Sequence, residues 1–147
     1  MKSPRLPDYT LWQNFLLLAA RVLMGWIFVE SGFRKLTGMG AFITSLTNRH
    51  VPYANVLGWV GGAVEFTGGL AIMLGAWTRC AALALIVFVA IATLIGHRYW
   101  EIAEPAARRM QQSHFAKNLT IIGGFMLLLV TGGGRWSLDG LRRGEGG

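Results

Sequence analysis

Four long apolar blocks constrain the fold of this chain more than any other feature of its sequence. They cover residues 11–33, 56–77, 79–97 and 115–132. About 20 predominantly apolar residues cross the hydrocarbon core of a bilayer as an α-helix, and each block is close to that length. None of the blocks alternates polar and apolar residues with the period of a β-strand. The sequence therefore predicts an all-α bundle of four transmembrane helices, with residues 1–10 as an N-terminal flank and residues 133–147 as a polar tail.

The composition favours a membrane protein over a soluble one. Of the 147 residues, 53% are hydrophobic and only 14% are charged, whereas soluble domains carry about 25% charged residues. The net charge of +7 would suggest nucleic acid in a soluble protein. Here the basic residues flank the apolar blocks, as they do where loops contact anionic headgroups. We therefore expect the lipid bilayer, and not nucleic acid, to be the partner of this chain.

The connections between the blocks predict the topology. Residues 75–79, GAWTR, leave almost no loop, so the second and third helices should form a tight antiparallel pair. Within residues 34–55, the stretch AFITSL is typical of a short interfacial helix. Pro105 disfavours helix at Glu104, which predicts a break in the polar segment 98–114. Four spans place both termini on one side of the membrane, and the basic N-terminal flank favours the cytoplasmic side.

Several motifs that would reveal a reaction class do not occur in the sequence. The only cysteine is Cys80, which excludes an internal disulfide and a relay of paired cysteines. Because it lies beside Arg79 and several alanines, we expect it to be a small packing residue. No His/Cys cluster has the spacing of a zinc site, and no pattern specifies a nucleophile, so the sequence leaves open whether the protein is an enzyme. The end of the chain, LRRGEGG, has no periodicity and is expected to be disordered.

Glu65 is the strongest functional candidate inside the apolar blocks. It lies in the stretch GGAVEFTGGL, where a charged side chain at mid-depth of a bilayer costs on the order of 2.5 kcal/mol or more. Arg21 lies near the middle of the first block, and glycines on both helices would permit a close approach. The sequence predicts an Arg21–Glu65 ion pair within the membrane. This pair either locks the two helices together or faces a cavity, where it binds a ligand or moves a proton.

A second set of polar residues lies near the ends of the spans that are remote from the termini. These candidates for a ligand or proton site are Glu30, His97, Glu101, His114, Lys117 and Asn118. Glu30 lies on the opposite face of its helix from Arg21, but it can pair with Arg34 four residues later. The histidines could bind a metal or haem, relay protons, or form hydrogen bonds near helix ends. Asn118 could bridge two helices or bind a substrate.

Five stretches together resemble the DoxX family of small bacterial membrane proteins. They are RVLMGWIFVESGFRKLTG (21–38), GGAVEFTGGLAIMLGAWTRCAALAL (61–85), GHRYWE (96–101), HFAKNLTIIGGFMLLL (114–129) and GGGRWSLD (132–139). The resemblance covers most of residues 15–139. The positions that match the family pattern are Arg21, Gly32, Lys35, Glu65, Gly69, Arg79, Lys117, Asn118 and Asp139.

The resemblance implies a four-helix protein of the bacterial inner membrane that is associated with membrane redox biology. Some relatives belong to thiosulfate:quinone oxidoreductase systems and others to oxidative-stress and thiol-handling assemblies, while many members have no assigned activity. Since this chain has a single thiol, a redox function would depend on a bound quinone or on a partner protein.

Three classes of function remain open at this point. The first is an accessory or subunit of a membrane redox system that binds a quinone-like or other amphiphilic molecule between polar helix ends and aromatic walls. The second is a non-catalytic scaffold or assembly subunit, whose glycine-rich faces contact a membrane or membrane-associated redox partner or copies of the same chain. The third is a small transporter or channel, which would need several copies because four helices leave little room for a pathway.

Overall fold

The computed structural model describes residues 10–144, so most of the N-terminal flank and residues 145–147 lie outside the described part. The helices are α1 (Leu11–Thr37), α2 (Met39–Asn48), α3 (Ala54–Leu74), α4 (Thr78–Gly96), a 3-10 turn (Tyr99–Glu101), α5 (Pro105–Thr131) and α6 (Leu138–Gly144). Helices α1, α3, α4 with the turn that follows it, and α5 are long and apolar enough to cross a membrane. This confirms the predicted all-α fold with four transmembrane helices.

Two helices extend beyond the apolar blocks. Helix α1 continues to Thr37, and α5 begins at Pro105, well before its apolar part. Proline is favourable at the first helical position, where its missing N–H needs no partner. The Glu104 carboxylate caps α5 by accepting hydrogen bonds from the backbone of Ala106 (2.8 Å) and Ala107 (2.5 Å), and these bonds lower the pKa of Glu104. The predicted break at Glu104 is thus confirmed, but hydropathy alone did not show where α5 begins.

Helices α1 and α3 form an antiparallel pair whose backbones touch at glycines. A Cβ atom at Gly32 would lie 2.6 Å from the backbone nitrogen of Phe66, and one at Gly69 would lie 2.7 Å from Phe28 Cβ. No larger residue fits at either position unless the helices separate. These contacts fix the register of the pair, with Gly32 of α1 level with Phe66 of α3.

The remaining helices close the bundle. Helix α3 packs against α4, and α4 packs against α5. Phe28 of α1 meets Phe125 of α5 with ring centroids 5.4 Å apart. Ile72 of α3 and Leu85 of α4 are fully buried between them. The apolar core is therefore shared by all four long helices.

The segment after α5 folds back onto the tight α3–α4 turn. Gly75 ends α3 with a φ of 66°, in the left-handed region that favours glycine. Asp139 accepts hydrogen bonds from the backbone N–H groups of Trp77 and Thr78, both at 2.7 Å, at the start of α4. The Asn14 side chain accepts a bond of 2.9 Å from the backbone of Arg135. The start of α1 and the segment after α5 therefore lie at the same end of the bundle.

The short helices test two further predictions. Helix α2 confirms the predicted helix in the first connection, and its Ile43 and Met39 pack against Gly58 of α3. The predicted disorder of LRRGEGG is wrong for its first four residues, which complete α6. Its last three residues lie outside the described part of the chain. Cys80, which we expected to be a small packing residue, is exposed on α4 and does not pack within the described part of the chain.

Candidate functional site

Glu65 is buried on α3, and its carboxylate Oε2 accepts a hydrogen bond from the ammonium of Lys35 on α1. The Glu65 side chain is 6% exposed and that of Lys35 is 26% exposed. Lys35 Nζ also lies 5.2 Å from the ring centre of Phe42 and 5.8 Å from that of Phe88. The two aromatic faces stabilise the ammonium, while the ion pair offsets part of the cost of burying the carboxylate.

The predicted Arg21–Glu65 ion pair is wrong. Gly32, which is level with Phe66, lies 11 positions after Arg21, and this separation corresponds to about 16 Å along the axis of α1. The prediction compared the midpoints of two apolar blocks, whereas α3 packs against the later part of the longer α1. The partner of Glu65 is consequently Lys35, near the end of α1.

Arg21 instead lies at the end of the bundle that holds the segment after α5. Its side chain is fully buried, and its terminal nitrogens donate to the backbone carbonyls of Met73, at 3.4 Å, and Trp136. The charge of Asp139 acts on it as well. Arg21 therefore joins α1, α3 and the C-terminal segment.

A cavity of about 420 Å³ lies beside the Lys35–Glu65 pair, and we call it the polar cavity. Its polar lining consists of Ser31, Arg34, Lys35, Glu65, His97, His114 and Asn118. Its apolar lining includes Ile27, Phe28, Phe88, Val89, Ala92 and Ile121. All four long helices contribute to these walls.

The two histidines and Asn118 form the part of the wall contributed by the end of α4 and by α5. The rings of His97 and His114 are stacked, with centroids 5.2 Å apart and planes 19° apart. His97 Nδ1 contacts Gln111 Oε1 at 2.7 Å. Asn118 Nδ2 donates to Thr93 Oγ1 at 2.8 Å, which bridges α5 and α4. Asn118 thus bridges two helices, which is one of the two roles considered for it, and it also lines the polar cavity.

Several polar atoms of the cavity lining have no hydrogen-bond partner among the described residues. Lys35 has three N–H donors and directs one of them to Glu65 Oε2, while Glu65 Oε1 accepts no bond. His97 uses only Nδ1. The cavity therefore offers both donors and acceptors to a guest molecule.

The structure separates the other predicted site residues from this cavity. Glu30 forms the predicted pair with Arg34, at 3.0 Å, and its side chain is 45% exposed. Glu101 pairs with Arg98 at 3.4 Å and is 56% exposed. Lys117 is exposed on α5, although its charge acts on His114. Of the six residues in the predicted ligand or proton set, His97, His114 and Asn118 line the polar cavity.

The helical pattern contains the signal for Lys35, which the prediction missed. The buried face of α1 includes Arg21, Gly25, Phe28 and Gly32, and steps of three and four residues lead next to Lys35. This series predicts that Lys35 faces α3. Gln111 carried no comparable signal, because its contact with His97 depends on how the chain turns between α4 and α5.

Comparison with known proteins identifies the family. A sequence model of the DoxX family matches residues 16–98, which is more than half of the chain. The chain belongs to the DoxX family. Inner membrane protein YphA of Escherichia coli K12 is 31% identical to this DoxX protein over 139 residues, covering 95% of this chain and 99% of YphA. Inner membrane protein YqjF of the same strain is 36% identical over 128 residues, covering 85% of this chain and 90% of YqjF.

A more distant relative and the absence of a structural match complete the comparison. Uncharacterized membrane protein Rv3486 of Mycobacterium tuberculosis is 28% identical over 141 residues, covering 84% of this chain and 78% of that protein. No solved structure matches the chain significantly. Together with the four apolar helices, the Escherichia coli relatives make this DoxX protein a multi-pass protein of the inner membrane. The side on which its termini lie stays a prediction.

Proposed function

We propose that this DoxX protein binds an amphiphilic small molecule of the quinone type in the polar cavity and acts as an accessory subunit of a membrane redox system. The observation that supports the proposal is the combination of unpaired polar groups and apolar walls in one cavity of about 420 Å³. Cavities that hold small organic ligands have volumes of about 300–1,000 Å³, with mostly apolar walls and a few polar groups.

The polar groups suit a headgroup that carries carbonyl or hydroxyl oxygens. The spare N–H donors of Lys35 can bind a carbonyl oxygen, whereas Glu65 Oε1 and the free nitrogen of His97 can accept a bond from a hydroxyl. Both the oxidised and the reduced form of such a headgroup would find partners. Phe28 of α1 and Phe88 of α4 both line the cavity and can cover the ring and the first part of an apolar tail.

Mass spectrometry of small molecules extracted from the purified protein tests this proposal. We expect a stoichiometric amphiphile in the wild type that is lost in Glu65→Gln and in His97→Ala. The matched controls are Glu101→Gln and His50→Ala, which alter the same residue types outside the polar cavity and should retain the ligand. An empty wild-type protein that is stably folded would contradict the proposal.

A non-catalytic scaffold or assembly subunit is the second candidate, and helix α5 supports it. In the apolar stretch of α5, only 11% of the residues are buried within the chain, against 22–28% in the other three spans. A long and exposed helix offers an extended surface for a partner or a second copy. Stable co-purification of such a partner with an empty polar cavity would favour the scaffold over ligand binding.

A further inference from the structure

A second cavity, which we call the outer groove, lies at the same end of the molecule as the polar cavity. Its volume is about 390 Å³, and its lining includes Arg49, Arg98, Glu101 and Gln111. These residues come from the α2–α3 connection, the 3-10 turn region and the polar start of α5, beyond the apolar part of the bundle. The outer groove is therefore in a position to hold water.

The charges around the outer groove already have partners within the chain. Arg49 Nη1 donates to the carbonyl of Gly96 at 2.9 Å. Arg98 Nε donates to the carbonyl of Leu94 at 2.9 Å, and its Nη1 contacts Glu101 at 3.4 Å. Both arginines thus satisfy carbonyls at the end of α4, where cations are favourable. These contacts suit a hydrated opening better than a site for an anion.

His97 lies between the two cavities. Gln111, which lines the outer groove, is bound to His97 Nδ1, while the ring of His97 lines the polar cavity and stacks on His114. A carbonyl oxygen can only accept, so Nδ1 donates and carries the proton. Nε2 of the neutral ring therefore bears a lone pair, and it has no hydrogen-bond partner among the described residues. The His97 ring thus carries a proton on Nδ1, next to Gln111 of the outer groove, and has a free acceptor at Nε2.

We infer that His97, positioned by Gln111, exchanges protons between the outer groove and the polar cavity. A proton arriving at Nε2 from a donor in the polar cavity makes the ring an imidazolium. The proton on Nδ1 then passes to water in the outer groove once the Gln111 side chain turns away, which leaves a neutral ring with its proton on Nε2. A flip of the ring returns a protonated nitrogen to Gln111 and restores the starting state. The reverse sequence carries a proton inwards, so charge and protons balance in either direction.

Charged side chains surround the stacked imidazoles of His97 and His114. The charged groups near the two rings come from α1, α3, α5 and the outer groove, whereas α4 contributes the neutral Thr93. These charged groups are Arg34, Lys35, Glu65, Lys117, Arg49, Arg98 and Glu101. Cations outnumber anions in this set. The centroids of the stacked rings lie 5.2 Å apart, so a charge on His97 acts on His114.

This inference deepens the proposed function, because a headgroup that gains and loses protons in a membrane needs such a route. The inference is tested separately, on ligand-free protein in nanodiscs with ¹⁵N-labelled histidine. The result then does not depend on whether a ligand binds in the polar cavity. We expect His97 to show the tautomer with its proton on Nδ1. A wild-type His97 that carries the proton on Nε2 in the neutral ring would overturn the inference.

Exchange of the His114 ring proton with water supplies the second measurement. In Gln111→Leu and His97→Phe, we expect this exchange to slow about a hundredfold, a typical contribution of a positioned proton-transfer group. The matched control is Gln112→Leu, because Gln112 is the exposed neighbour of Gln111 on α5 and should leave the exchange unchanged. Wild-type exchange rates in both test variants would refute the route, and His97→Phe decides the question if Gln111→Leu does not fold.

Discussion

The two ends of the α1–α3 pair each bury one charged side chain, but they surround it differently. Arg21 at one end is fully enclosed; its terminal nitrogens donate to two backbone carbonyls, while its Nε has no partner among the described residues. Glu65 at the other end shares one oxygen with Lys35 and lies beside a cavity with unpaired donors and acceptors. A buried charge whose partners are backbone groups of the same chain serves the fold. A buried charge that borders a cavity with unpaired polar groups is the better candidate for binding.

The glycine contacts between α1 and α3 support both ends. They hold the helices at a fixed register, which places Arg21 beside the end of α3 and Lys35 beside Glu65. The comparison therefore predicts that changes at the Arg21 end reduce stability, whereas changes at the Glu65 end reduce ligand binding. Four substitutions test this distinction.

Arg21→Met should produce the largest loss of stability. It removes a buried charge and leaves the carbonyls of Met73 and Trp136 without a donor, which should lower the free energy of unfolding by about 2–4 kcal/mol. Denaturant unfolding in nanodiscs measures this change. The fraction that remains folded should keep its ligand. A stable Arg21→Met protein without ligand would show that the two ends have the opposite roles.

Gly32→Ala should cost less, about 1–3 kcal/mol, because the added Cβ overlaps the backbone at Phe66 and the helices must separate. The matched control is Gly123→Ala on α5, where a Cβ would meet nothing within 4 Å and should be neutral or stabilising by about 0.5–1 kcal/mol. Thermal unfolding of the two variants compares them directly. Equal midpoints would show that the close α1–α3 contact contributes nothing to stability.

Glu65→Gln should affect binding more than stability. Glutamine keeps the shape of the side chain, and Lys35 is partly exposed, so its ammonium can be solvated when its partner is lost. Loss of a charge-assisted hydrogen bond should weaken ligand affinity about tenfold to a hundredfold. A titration of the reconstituted protein with a short-tailed quinone analogue measures this. If Glu65→Gln unfolds the protein and the remaining folded fraction binds normally, the pair is structural.

Glu30→Gln should have the smallest effect. The Glu30–Arg34 pair lies on the exposed side of α1, where ion pairs contribute about 0–1 kcal/mol. Unfolding and quinone titration should both match the wild type within error. A clear loss of ligand in this variant would place the binding site on the outer face of α1 instead of in the polar cavity.

Much of the fold could be predicted because it depends on local properties of the sequence. The apolar blocks, the tight turn at GAWTR and the break before Pro105 follow from hydropathy and backbone chemistry, and the structure confirms them. The pair of Glu30 with Arg34 was predictable for the same reason, since the two residues are one helical turn apart. Asn118 was predictable as a polar residue between helices.

The partners of the buried charges could not be read from the blocks, because they depend on the register between helices. Apolar length placed Arg21 and Glu65 at the same depth, whereas the glycine contacts shift α3 towards the end of α1. The donor contact of Arg21 to Trp136 requires the segment after α5 to fold back, which no local pattern showed. For the same reason, the contact between His97 and Gln111 emerged only from the structure.

Photolabelling tests most directly whether the polar cavity is a ligand site. A quinone with a photoreactive headgroup would be bound to the reconstituted protein, and the labelled peptides identified by mass spectrometry. We predict saturable labelling near Lys35 on α1 and near His114 on α5 that is displaced by an unlabelled quinone and that needs a tenfold to hundredfold higher quinone concentration in Glu65→Gln, as expected from the loss of a charge-assisted hydrogen bond. Labelling that does not saturate, or that falls on the lipid-facing surfaces of the helices and is unchanged in Glu65→Gln, would contradict the account.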